Sequence, residues 1–96
     1  MIAWVIYDIV NDRSRTKIAK YCKQAGLYRV QYSVFIGKIE QSRLDELQLK
    51  FEAIMDKDVD KIYIFPLSKK ALQQTVLLGQ AFDKKLVNDQ VKALFL

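Results

Sequence analysis

The opening segment Ile2-Ala3-Trp4-Val5-Ile6-Tyr7-Asp8-Ile9 is rich in β-branched and aromatic side chains and is apolar at every position except Asp8. A strand sends successive side chains to opposite faces. Ile2, Trp4, Ile6 and Asp8 therefore share one face, and Ala3, Val5, Tyr7 and Ile9 the other. Because both faces are apolar, both need cover, and this requirement governs the rest of the fold.

Working outward, Asn11 and Asp12 carry turn and helix-capping chemistry, so a helix is expected from there to about Ala25. Ile18, Cys22 and Ala25 fall on one side of it, with Ala19 and Tyr21 flanking. Arg13, Lys17 and Lys20 line the opposite side, with Lys23 nearby, while Arg15 lies at the edge of the apolar side. Gly26 is placed to end the helix. Residues 28–39 read as two short strands breaking near Gln31–Ser33. Ser42, with Asp45 three residues on, is expected to cap a second helix whose buried stripe is Leu44, Leu47, Phe51 and Ile54. The acidic loop Asp56–Asp60 leads to a strand, Ile62–Phe65, stopped by Pro66. Ser68 caps a short helix at Lys69–Gln74, and Val76-Leu77-Leu78 suggests a last strand before Gly79.

The order β-α-β-β-α-β is the ferredoxin-like α+β plan with an extra C-terminal strand or segment. Residues 1–78 are read as the ferredoxin-like domain and residues 79–96 as an appendage that packs on a dimer or on a partner. Both helices cover one sheet face in this plan, leaving the apolar second face open. Self-association would cover it, so a homodimer joined through the sheet faces is expected.

The 96 residues give a mass of 11.2 kDa, 51% hydrophobic and 28% charged, the balance of an ordinary globular domain. No apolar run approaches the ~20 residues of a membrane span, and the stretch 2–7 is too short for a signal-peptide core, so a cytoplasmic protein is expected. Histidine is absent, which excludes Ser-His and Cys-His nucleophilic pairs within the chain. The single cysteine, Cys22, excludes an intrachain disulfide or a multi-cysteine zinc site, and on the apolar helix side it reads as a small hydrophobe. Chemistry is left to carboxylates, hydroxyls, Arg and Lys, or a hard cation held by oxygen.

The net charge of +5 is uneven. Residues 1–41 carry seven basic and three acidic side chains, residues 42–60 three and six, and residues 61–96 six and two. Basic ends around an acidic middle suit either solubility or polyanion binding. Asp8, leaving a buried strand, has two readings: a structural turn or ion-pair role, or a ligand for Mg2+ or Mn2+ shared with a second Asp8 across a two-fold axis. Asp12 is read as a cap. Arg15 and Arg29 suit an ion pair or a phosphate equally, since the guanidinium fork grips two oxygens. The stripe Arg13, Lys17, Lys20 and Lys23 is a solvated face or a sequence-indifferent phosphate contact. Tyr32 and Phe35 are candidates for base stacking, but the glycine-aromatic signature of RNA-recognition modules is missing, which favours core packing for both.

Tyr7-Asp8-Ile9 after an opening strand, Arg15 and Lys17 in the first helix, and Gly26-Leu27-Tyr28-Arg29-Val30-Gln31-Tyr32-Ser33-Val34-Phe35-Ile36-Gly37 together resemble the CRISPR-associated protein 2 family, over about residues 1–67. The resemblance implies a ferredoxin-like homodimer with facing sheets and Asp8 as the metal ligand beside the dimer axis. It implies that Tyr7, Arg15, Arg29 and Phe35 belong to the active-site region; taken with the basic helix stripe, the candidate nucleic-acid contacts are Arg13, Arg15, Lys17, Lys20 and Arg29. Lys17 replaces a residue of the same charge with one that lacks the bidentate fork. The resemblance also implies a role in CRISPR adaptation, as a Mg2+-dependent endonuclease acting on single-stranded RNA or duplex DNA during spacer integration. Two alternatives stand beside it: a non-catalytic DNA-binding scaffold that bridges dimers of the CRISPR integrase, and a toxin-type ribonuclease of related fold.

Overall fold

A computed structural model describes residues 1–76 and residue 78. Seven elements follow in order: β1 (Ile2–Asp8), α1 (Asp12–Gln24), β2 (Tyr28–Gln31), β3 (Val34–Lys38), α2 (Gln41–Ile54), β4 (Lys61–Leu67) and α3 (Lys69–Gln73). The strands form one antiparallel sheet in the order β2-β3-β1-β4. This is the expected α+β arrangement, with β1 paired on both sides: Val5 lies opposite Phe35 of β3 and Ile64 of β4.

The alternation along β1 divides the interior in two. Ala3, Val5 and Tyr7 pack with Phe35 beneath Ile18, Ala19 and Cys22 of α1 and Leu44, Leu47 and Phe51 of α2. On the other side Ile2, Val30 and Ile36 pack with Leu72 of α3, flanked by Trp4, Tyr28, Val34 and Leu67. Among the described residues that second side is only partly covered: Trp4 and Ile6 are half-buried, and Tyr63 and Phe65 of β4 are exposed.

Local chemistry sets the helix ends. The Asn11 side chain accepts from the Ser14 N–H at 3.0 Å, capping α1. At the other end Gly26 takes φ +87°, its N–H donates to the Lys23 carbonyl, and the Leu27 N–H donates to the Cys22 carbonyl, each at 3.0 Å. This double-bonded helix stop needs the left-handed conformation that glycine adopts freely. Ser68 caps α3 by accepting from the Ala71 N–H at 3.0 Å, as expected.

Three expectations are corrected. Ser42 does not cap α2. The N-cap is Glu40, without a side-chain bond, and Asp45 instead accepts from Gln41 Nε2 at 2.9 Å. Buried Ile39 still donates to the Met1 carbonyl at 2.9 Å, so the chain leaves the sheet and enters the helix at once. Pro66 does not stop β4, which continues to Leu67. β4 lies at a sheet edge, where alternate N–H groups point away from the partner and a proline is tolerated. Among the described residues Val76 and Leu78 belong to no strand. Leu77 and the appendage at residues 79–96 lie outside the described residues. No helix among the described residues is long and apolar enough to cross a membrane.

Candidate functional site

The sequence candidates separate into two groups on opposite sides of the sheet. Tyr7, Arg29 and Phe35 come together on the helix side. Arg29 pairs directly with Phe35 across β2 and β3, which brings its guanidinium 5.1 Å from the Phe35 ring centroid. The Tyr7 and Phe35 rings stack 6.3 Å apart at 18°. A register shift follows Arg29, the last pair is Gln31 with Val34, and the two-residue turn Tyr32-Ser33 joins the strands. Tyr7 anchors that turn twice, its N–H donating to the Ser33 carbonyl at 3.1 Å and its hydroxyl to the Tyr32 carbonyl at 3.5 Å. Burial pushes the Tyr7 phenol up from its ordinary value, and the neighbouring Arg29 guanidinium opposes part of that rise. Tyr7 is therefore a neutral positioning group at physiological pH.

Phe35 is fully buried, as core packing requires, but Tyr32 is not: its relative exposure is 73%. The core expectation for Tyr32 is corrected because the turn carries it past the end of the ladder, away from the apolar interior. The Arg29 guanidinium, 5.5 Å from the Tyr32 ring centroid, backs the exposed ring.

Between this turn and α1 lies an open hollow of about 550 Å³ whose lining includes Asp12, Arg15, Lys20, Lys23, Arg29 and Tyr32. Arg15 is held there by donation from Nη1 to the Ile9 carbonyl at 2.9 Å and by an ion pair through Nη2 with Asp12. The structural reading of Arg15 is thus realised, and Asp12 serves Arg15 while Asn11 is the cap. Arg13 and Lys17 are exposed along α1 but do not line the hollow. Lys20 and Lys23 of the same basic stripe do.

Asp8 stands apart from all of these. It is the exposed last residue of β1, follows Ile2, Trp4 and Ile6 in the alternation, and lies opposite Lys61 of β4. Among the described residues no three His, Cys, Asp or Glu side chains gather as a metal-binding group. Asp8 is one hard-oxygen donor per chain, which suits Mg2+ or Mn2+. Such ions are commonly bound by one or two carboxylates, with waters and substrate phosphates completing the shell.

One further carboxyl group positions this region. Asp60 is buried, accepts the Val10 N–H at 2.9 Å and the Asp56 N–H at 2.8 Å, and so ties the loop after Asp8 to the loop before β4. Nothing in the residue pattern sets it apart within the acidic run Asp56–Asp60.

The fold and its surface define a small, basic α+β protein with a ferredoxin-like sheet, a cationic hollow on the helix side and an exposed carboxyl group at the end of its central strand. Residues 1–75 match the family described as CRISPR associated protein Cas2, and the chain belongs to that family. It is 39% identical over 69 residues to the CRISPR-associated endoribonuclease Cas2 of Desulforudis audaxviator, a match covering 72% of this chain and 65% of that relative, just under two thirds of its length. It is 38% identical over 81 residues to a CRISPR-associated endoribonuclease Cas2 of Synechocystis, covering 83% of this chain and 87% of the relative. The crystal structure of Streptococcus pyogenes Cas2 at pH 6.5 superposes with a TM-score of 0.72 at 26% identity, covering 82% of this chain and all of that one.

Proposed function

We propose that this protein is a Mg2+-dependent endoribonuclease of a CRISPR system, acting as a homodimer joined through the partly covered sheet face. The observation that carries the reading is the position of Asp8 at the end of the face bearing Trp4, Ile6, Tyr63 and Phe65. Two copies meeting across that face would bring two Asp8 carboxyl groups to one axis, where they would hold the cation. The bound cation would supply an activated water and charge neutralisation at the phosphodiester. Arg15 and Arg29 lie on the helix side, so within this reading neither acts at phosphorus: Arg29 binds and orients the strand, and Arg15, already paired with Asp12 and the Ile9 carbonyl, shapes the hollow. Tyr7 and Phe35 keep Arg29 in place. The relatives' names, as CRISPR-associated endoribonucleases, support the reaction class.

The separation of the cationic hollow from Asp8 favours a second reading, a DNA-binding scaffold that bridges integrase dimers without cutting. Asp8→Ala, assayed for Mg2+-dependent cleavage of a labelled single-stranded RNA and for spacer acquisition in cells, divides the two. Lost cleavage supports the nuclease. Unchanged cleavage removes Asp8 as its metal ligand, and acquisition that survives the loss of cleavage assigns the adaptation role to the scaffold.

A further inference from the structure

Tyr32 is 73% exposed, although the backbone of the turn that carries it is held at two carbonyls. Tyr32 sits in a two-residue turn whose carbonyls accept from the Tyr7 hydroxyl and backbone N–H, so the ring projects from a braced base. Its guanidinium neighbour Arg29 is itself fixed against buried Phe35. The ring, thus supported, forms part of the wall of a hollow lined by four cationic side chains, Arg15, Lys20, Lys23 and Arg29. At about 550 Å³ the hollow falls within the range of about 300–1,000 Å³ typical of small-ligand sites.

We infer that Tyr32 is a stacking platform for one unpaired nucleobase, with the flanking phosphates of a single strand held by Lys20, Lys23 and Arg29. This inference deepens the nucleic-acid reading above and rests on it, but it does not depend on cleavage. Charge alone would accept any polyanion. A braced ring with an exposed surface selects a planar π system, and a base can offer its face only when it is outside a duplex stack. Arg15 already has its Asp12 and Ile9 partners, so it shapes the hollow more than it grips phosphate. The ligand class is therefore single-stranded nucleic acid, with sequence-tolerant binding, since every base has a face.

The test is equilibrium binding by the full chain in EDTA, followed by fluorescence anisotropy. The probes are a labelled single-stranded RNA 12-mer, the DNA of the same sequence, its blunt duplex and inorganic polyphosphate as a competitor. Tyr32→Ala should weaken binding of one or both single strands by about 5- to 150-fold, the loss expected for one stacked base. Duplex affinity, polyphosphate competition and the log–log salt slope should stay unchanged, and Tyr32→Phe should bind like wild type. The Lys20→Ala, Lys23→Ala double variant should lower the slope by about 0.7 per lost single-strand contact. Which strand loses more identifies the sugar preferred. Equal losses on single strand and duplex, or no loss on either, would overturn the stacking role. Because no metal is present, that failure is distinct from any failure of Asp8-dependent cleavage.

Discussion

Asp60 accepts the backbone N–H of Val10 at 2.9 Å across fifty positions of sequence, and its second carboxyl oxygen accepts the Asp56 N–H at 2.8 Å. The loop after β1 is therefore positioned by a side chain from the loop between α2 and β4. Asp60→Ala would strip two N–H groups of their acceptor, costing about 2–4 kcal/mol, while Asp60→Asn keeps one acceptor oxygen and should cost roughly half as much. Urea denaturation at pH 7 reads both. Equal stability of all three proteins would mean the latch is dispensable.

A methyl group at Gly37 would be tightly crowded. The Cβ would stand 3.1 Å from Leu27 Cδ2, 3.2 Å from Leu27 Cα and 3.3 Å from the Gly26 carbonyl oxygen. Two of those neighbours are backbone atoms of the helix stop, which cannot swing aside. Gly37→Ala should lower stability by about 1–3 kcal/mol through overpacking. Gly26→Ala meets no atom within 4 Å but must hold φ +87°, costing about 1 kcal/mol. Chemical denaturation of the two variants should place Gly37→Ala as the more damaging.

Burial pushes the Cys22 thiol up from 9.0 to about 12. The folded chain thus keeps this proton over a range in which the unfolded chain releases it. The stabilisation is full below the unfolded value and is lost as pH rises from about 9 towards 12, by up to about 1.4 kcal/mol per pH unit. Cys22→Ala should lose overall stability from the smaller side chain yet show a flatter decline above pH 9. Parallel pH–stability curves for the two proteins would contradict this. A thiol reagent at pH 8 should label Cys22 only after denaturation.

Trp4 and Phe65 stack 6.5 Å apart at 22° on the partly covered face, and Phe65 remains 40% exposed. If two copies join there, Phe65→Glu places a carboxylate in the joint and should weaken association by about 3 kcal/mol without unfolding the chain. Sedimentation equilibrium of wild type and variant at micromolar concentration measures the change. A wild-type monomer under those conditions would remove the dimer and, with it, the paired-carboxylate centre.

The strand pairing and both long helices were legible because each rests on local periodicity: the two-sided β1 run, the Ile18/Cys22 stripe and the Leu44/Leu47/Phe51 stripe. The stop at Gly26 and the break after Gln31 were readable for the same reason. What escaped depended on three-dimensional company. Ser42 looked like a cap, but buried Ile39 fixed the point where the chain leaves the sheet. Pro66 looked like a terminator, because the sequence does not say that β4 is an edge. Tyr32 and Phe35 are both strand-region aromatics three positions apart. Tyr32 falls in the turn and Phe35 within β3, and that placement separates an exposed ring from a buried one. Among the site residues, Tyr7, Arg29 and Phe35 assemble as a group, whereas Asp8 sits beyond them because one residue along a strand is half a pleat.

That half-pleat makes the protein unusually sensitive to length. Tyr7 and Asp8 are adjacent, yet one side chain is enclosed beneath α1 and α2 and the other meets solvent across the sheet. Gaining or dropping a single amino acid within residues 2–7 would turn the ribbon over, driving the carboxyl group towards the oily interior and expelling the phenol. Frame-preserving indels of one codon in this stretch should thus be harsher than most point changes, whereas a two-codon change at least keeps the sidedness intact.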